Sequence, residues 1–381
     1  MDTLVEAADL RTLAAFTDEV GVLSLYTTVE PGEPGGHLRL RSMLGSLRSE
    51  LSQHAGADWA DRAARRLDAL ADPIADLLDG SRPGLGRMLF AQIAGDAVHT
   101  AWIQLPVRDV AVVEANAYLW PLATAIQQAP PAGVARVGRD GVRLFDCRYG
   151  LAEELDGVGF NVGGAGSPGD QQSDAPTLSR AGIHPDRFGQ RVEEHLTRLL
   201  RHAAPTVAEH ADRYDWQTVL LVGDPRLTPI LAEALPPGRD LSELDAVLDP
   251  DLTAHGVLDF VAPTLDEIRA RREAAAVRRV VDLARSGGTG VLGLADTVTM
   301  LQQGRVEQLL LDAAGDWTTG TAVDAGAPPT ATALAGSGTA DEIGEGMVEL
   351  ALSHGGSVTL LDEAAADELA ANDGVAALLR W

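Results

Sequence analysis

The side chains able to do chemistry in this chain are defined first by one that is missing. No lysine occurs in the 381 residues, so all 30 basic side chains are arginine. A Walker-type phosphate loop needs a lysine to reach the β- and γ-phosphates, and Schiff-base catalysis needs a lysine amine. Both chemistries are excluded. The nine histidines show no His-Glu-x-x-His or comparable ligand spacing. His184, His195, His202 and His210 flank or lie on one expected helix, where His195 falls near the apolar side and suits a core or capping role. No Gly-x-Ser-x-Gly elbow marks a hydrolase nucleophile. The single cysteine, Cys147, excludes an internal disulfide and a multi-cysteine metal site. Its apolar setting in 142–150 predicts a buried structural thiol. Glu153–Glu154 and Glu193–Glu194 are adjacent in sequence, so their carboxylates point apart and are expected at the surface. No metal and no cofactor is expected.

Gly164-x-Gly166-x-x-Gly169 has the form of a dinucleotide fingerprint. A functional one opens a helix whose first amides face the pyrophosphate. Here Pro168 and then a polar run follow, and no helical periodicity begins. The match is expected to be a chance one within 156–185, a long stretch dominated by Gly, Ser, Asp and Pro. A connection of this length inside a domain is uncommon and is usually either functional or disordered.

The arginines are more informative. Over 186–201, Phe188, Val192, Leu196, Leu199 and Leu200 recur at helical spacing. At 100° per residue, Arg187, Arg191, Arg198 and Arg201 share the opposite face, with Glu194 among them. Two readings fit: a phosphate-binding stripe, or a solvated face paired with glutamates. The expected helix 263–285 carries Arg269, Arg271, Arg272, Arg278, Arg279 and Arg285. These clusters matter because the net charge is −26, against the usual pattern of a nucleic-acid binder. Arginines number 10 against 17 acidic residues in 1–130, 12 against 21 in 131–265, and 8 against 18 in 266–381. The acidity is spread evenly, so any RNA contact must come from local arginine clusters.

The elements that must position these residues follow from periodicity and turn chemistry. Residues 21–31 read as a strand, 38–53 and 58–79 as two amphipathic helices, and 87–106 as a hairpin through Gly95–Asp96. Ala129–Pro130–Pro131–Ala132 makes a boundary. Beyond it, Asp140–Gly141 predicts a second hairpin, and 218–223 a buried strand followed by a short helix. Thr264 with Glu267 predicts a capping box opening the helix that ends at Gly287–Gly288. Residues 295–312 read as helix, glycine turn and strand, 340–354 as a helix and 357–362 as a strand. Residues 315–339 are expected to be a mobile connection. The expected class is α/β (α+β) in three domains, 1–130, 131–262 and 263–381. The N-terminus lacks a cationic signal region and no 18-residue apolar run occurs, so a cytoplasmic protein without membrane contact is expected.

Three segments, 133–150, 288–312 and 355–381, resemble in order the central and third domains of the archaeo-eukaryotic-type release factor and Pelota superfamily, and the likeness is closest to its bacterial branch. The resemblance implies an RNase-H-like central domain and a C-terminal α/β/α domain related to kink-turn-binding ribosomal proteins. It also implies ribosome and rRNA as partners, with peptidyl-tRNA and an elongation factor as candidate further ones. Release factors of the superfamily present a Gly-Gly-Gln tip, and no Gly-Gly-Gln occurs here. Gly169-Asp170-Gln171-Gln172 is instead similar to a looser Gly-x-x-Gln loop, which aligns Gln172 (with Gln171 beside it) as the functional glutamine. A glutamine amide cannot act as a general base, but it can orient a water while RNA supplies the rest. Arg180, Arg187, Arg191, Arg198, Arg201, Arg269, Arg272 and Arg279 are the implied RNA-binding set. The expected function is an A-site-binding, tRNA-mimicking stress or hibernation factor without autonomous catalysis. The alternatives are a ribosome-dependent peptidyl-tRNA (ester) hydrolase in ribosome rescue, and a ligand- or protein-interaction protein that has lost ribosome binding.

Overall fold

A computed structural model describes residues 3–4, 7–30, 35–54, 56–160, 185–315 and 341–381. These form two compact units, one of 1–128 with 266–381 and one of 129–265. Three separate sheets organise a mixed α/β architecture.

The first unit begins with strand β1 (Thr3–Leu4), helix α1 (Ala7–Ala14) and the long strand β2 (Thr17–Thr28). Helices α2 (Gly36–Gln53), α3 (Asp58–Ala69) and α4 (Ala71–Asp76) follow, then strands β3 (Gly86–Gln92), β4 (Val98–Ile103) and β5 (Val110–Asn116), and helix α5 (Trp120–Gln128). The sheet order is β1-β4-β3-β2-β5, antiparallel except for β1 beside β4. Leu23, Leu25, Leu89 and Ala91 on the sheet meet Leu40, Leu47, Leu51, Leu67 and Ile74 on the helices, closing one core. The single helix expected over 58–79 is two. Pro73 has no N–H to bond the carbonyl of Ala69, so the chain leaves helical geometry at Leu70 (φ −91°, ψ 12°) and restarts.

The second unit holds strands β6 (Ala132–Val137), β7 (Gly141–Arg148) and β8 (Leu151–Gly159), helix α6 (Pro185–Arg213), strand β9 (Thr218–Gly223), helix α7 (Thr228–Ala234) and strand β10 (Asp240–Leu244). The order β10-β9-β6-β7-β8 joins an antiparallel three-strand meander to two strands parallel to β6. The hairpin at Asp140–Gly141 forms as its turn chemistry requires. The loop begins later than expected, because 156–159 completes β8 against β7. Helix α6 runs past Arg201 to Arg213, since Ala203, Ala204, Val207 and Ala211 continue its buried stripe while Pro205 faces solvent.

Helix α8 (Ala254–Arg285) carries the chain back to the first unit. It starts ten residues before the expected capping box at Thr264. Thr253 is the cap, its Oγ1 accepting from the Gly256 N–H at 3.2 Å. Pro263 is tolerated inside the helix because Val257 and Val261, fully buried, anchor the turns before it. The remaining elements are β11 (Gly290–Leu292), α9 (Leu294–Gln302), β12 (Val306–Asp312), α10 (Asp341–Ser353), β13 (Ser357–Leu361), α11 (Glu363–Ala366) and β14 (Val375–Leu379). Their sheet has the order β11-β14-β12-β13, and Val277, Val280 and Val281 of α8 pack on Leu310, Leu361, Ala376 and Leu378. No described helix is long and apolar enough to cross a membrane. The expected mobile connection, 315–339, lies outside the described residues except for Gly315.

Candidate nucleic-acid interface

The loop residues expected to do chemistry, Gly169, Asp170, Gln171, Gln172 and Arg180, lie outside the described residues. What the structure does define is the platform from which that loop returns. Helix α6 is fixed along Leu196, Leu200, Ala203, Val207 and Ala211, all buried against the central sheet. Its C-terminal end is fixed by a polar clamp. Asp146 on β7, only 6% exposed, takes the Arg148 guanidinium at 2.6 and 3.0 Å and the Trp216 indole N–H at 2.6 Å. Arg148 also donates to the Tyr214 carbonyl at 2.6 Å and lies over the Tyr214 ring. Gly133 on β6 makes room for the indole, because a Cβ there would come within 2.0 Å of a Trp216 ring carbon.

On this platform Arg198 and Arg201 are exposed and make no ion pair with a described residue. Glu194 and Glu209 are exposed on the same helix, so the face is mixed in sign. Arg187 and Arg191 stand on its first turns, and their side chains are outside the description. His195 is half-buried beside the stripe.

Helix α8 separates its arginines into two classes. Arg269 is engaged with Asp266 at 3.4 Å and Glu273 at 3.2 Å. Glu273, 5% exposed, also accepts the Asp362 N–H at 2.9 Å, so it ties α8 to the end of β13. Burial raises the Glu273 carboxyl above its usual range, outweighing the downward pull of that N–H and of Arg269. Arg271, Arg272, Arg278, Arg279 and Arg285 are all exposed, and none pairs with a described carboxylate. Only the Arg278 Nε bonds a carbonyl, that of Ala274, at 3.1 Å. Sequence reading placed these residues on the helix but gave no sign that Arg269 differs from the rest, because its partner is fixed from 89 residues away.

A second buried acid escaped sequence reading. Glu345 on α10 accepts the N–H groups of Leu119 (2.7 Å), just before α5, and of Trp120 (2.9 Å), its first residue. Its neighbour Glu349 accepts from the Asn116 amide, and Gln127 donates to the Val358 carbonyl at 3.0 Å. These bonds explain why 1–128 and 266–381 form one unit. Burial pushes the Glu345 carboxyl up to about 8 despite the two N–H donors. Among the described residues no group of three or more His, Cys, Asp or Glu side chains could hold a metal ion.

Residues 118–248, which include the whole sheet and helix platform of the second unit, match bacterial archaeo-eukaryotic release factor family 10. No curated protein matches the chain. Solved structures similar to it include an archaeal translation termination factor, aRF1 (19% identity, 98% of this chain and 97% of that one, TM-score 0.24). A ribosome-bound archaeal Pelota with ABCE1 is 14% identical over 100% of this chain and 95% of that one, at a TM-score of 0.41. The S. cerevisiae Dom34 structure is 9% identical over 75% and 74%, at 0.41. At these scores the likenesses add nothing to the assignment, which rests on the sequence match. That match covers about a third of the chain and makes its second unit similar to the bacterial archaeo-eukaryotic release factor family.

Proposed function

We propose that the chain is a ribosome-associated factor that occupies the A site without catalysing a reaction of its own, in stress or hibernation. The observation that carries the reading is the family match across 118–248, whose release-factor relationship directs the chain to the ribosome. Two sequence facts narrow it. The Gly-Gly-Gln tripeptide of hydrolytic release factors is missing, and no lysine is present to serve phosphate-loop or Schiff-base chemistry. The net charge of −26 makes the proposal demanding, since long-range repulsion from RNA must be overcome by short-range guanidinium contacts. The direct test is co-sedimentation of the purified chain with 70S ribosomes through a sucrose cushion at low salt. Stoichiometric pelleting supports the reading. A chain left in the supernatant, with ribosomes both vacant and stalled, refutes it.

A further inference from the structure

The proposed ribosomal partner leaves open which surface of so acidic a protein meets RNA. In 1–128 and 266–381 most described arginines are already engaged. Arg39 pairs with Asp109, Arg48 with Asp68, Arg62 with Asp58, Arg82 with Asp76 and Arg269 with Glu273. Arg66, Arg87, Arg305 and Arg380 donate to backbone carbonyls. Arg41 and Arg65 are exposed and unpaired one to a helix, on α2 and α3, whereas the exposed face of α8 gathers five. Its five guanidiniums without a carboxylate partner, of which only that of Arg278 bonds a backbone carbonyl, fall in two rows, 271–278–285 and 272–279, each repeating every seven residues. At about 1.5 Å per residue, successive members stand about 10.5 Å apart and the whole array is about 21 Å long. The buried side of the same stretch, Ile268, Val277, Val280 and Val281, holds the helix rigidly on its sheet. The backbone that carries the array therefore loses little freedom on meeting a ligand, and the ordering cost falls on the five side chains.

We propose that this face of α8 is an RNA-docking surface, with Arg271, Arg272, Arg278, Arg279 and Arg285 gripping successive backbone phosphates of ribosomal RNA. The inference rests on the ribosome-associated reading above and names the contact within it. Two features favour RNA over an acidic protein. The guanidinium fork matches phosphate in a bidentate way, and a repeated array suits a repeated polyanion. A protein interface would in addition need aromatic or large apolar anchors. Of the exposed large apolar residues Leu38, Val247, Phe260 and Trp381, only Phe260 is on α8; it is in line with the 271–278–285 row but eleven residues before Arg271, so no aromatic or large apolar anchor stands among the five arginines. Arg269 is not part of the set, because its charge is spent on Asp266 and Glu273. Glu267 and Asp282 are exposed among the arginines and weaken the field there.

The test measures ribosome affinity of the full chain between 50 and 200 mM monovalent salt, with protein-free 23S rRNA as a second probe. Each phosphate contact contributes about 0.7 to 0.9 to the slope of log affinity against log salt. Replacing all five arginines by glutamine is expected to flatten the slope by about 3.5 to 4.5 on both probes. The Glu267→Gln, Asp282→Asn variant is expected to bind more tightly and keeps the result interpretable if the fivefold variant misfolds. An unchanged slope in the fivefold variant, with wild type still pelleting on ribosomes, overturns the docking surface and leaves the ribosome reading standing. Loss of ribosome binding by the fivefold variant, with wild type showing no affinity for protein-free rRNA, assigns the face to an acidic protein and also overturns it. Should wild type fail to pellet on ribosomes, the ribosome reading falls, and the 23S rRNA slope alone decides the docking surface.

Discussion

Replacing Asp146 by alanine should loosen the central unit and leave the third sheet intact. The carboxylate satisfies two buried donors at once, the Trp216 indole N–H and the Arg148 guanidinium. An indole N–H stripped of its acceptor costs about 1–3 kcal/mol. Breaking a buried ion pair by deleting one partner costs about 3–5 kcal/mol, because a charge is left without compensation. Arg148 keeps the Tyr214 carbonyl and ring, which places the combined loss near the lower end, about 4 kcal/mol. At 1.4 kcal/mol per factor of ten, amides of β6 and β9 should exchange with solvent roughly a thousandfold faster. Hydrogen exchange read by mass spectrometry resolves this, with peptides of β12 as the internal reference that should not change. The Asp146→Ala, Arg148→Ala double variant should cost less than the two single changes together, by at least about 1 kcal/mol. An acceleration below tenfold, or strict additivity, would refute the assignment of Asp146 as the clamp behind α6.

Glu345 gives a pH signature. Its carboxyl ordinarily titrates near 4.5 and is pushed up to about 8 here, so the folded state favours the protonated form. That contribution is complete below pH 4.5 and is lost as the pH climbs through 8, at up to about 1.4 kcal/mol per pH unit. Glu349 and Glu273, also raised by burial, act in the same sense. Thermal melting between pH 5 and 8.5 should therefore show falling stability, and Glu345→Gln should flatten that fall; an unaltered profile counts against the account. Gly133→Ala should destabilise the second unit by about 1–3 kcal/mol or more through overpacking against Trp216, visible as a lowered melting temperature. Burial pushes the Cys147 thiol up to about 12, so the folded chain should resist iodoacetamide at pH 8 and react only on denaturation.

Parts of this fold are legible in the sequence for clear reasons. Asp140–Gly141 and Gly95–Asp96 specify their hairpins by local turn chemistry, and the buried stripe of α6 shows in its periodicity. Strand β8 is hidden because its residues are acidic and largely exposed, with no apolar alternation to mark it. Strand β14 is hidden because Val375–Leu379 is a short apolar run that periodicity alone cannot tell from a buried turn of helix. The capping-box pattern at Thr264 misleads because Val257 and Val261 hold the preceding turns through tertiary packing. For the arginines, the helical faces are readable and the engagement is not. Glu273 and Glu345 act on partners 89 and more than 200 residues away, and no local pattern encodes such pairings.

The account stands on occupation of the ribosomal A site, and competition measures it directly. Binding of the chain to 70S ribosomes is compared with the A site vacant and with a stably bound A-site tRNA. The account predicts at least tenfold weaker binding to the filled ribosomes. Equal binding in the two states would contradict it.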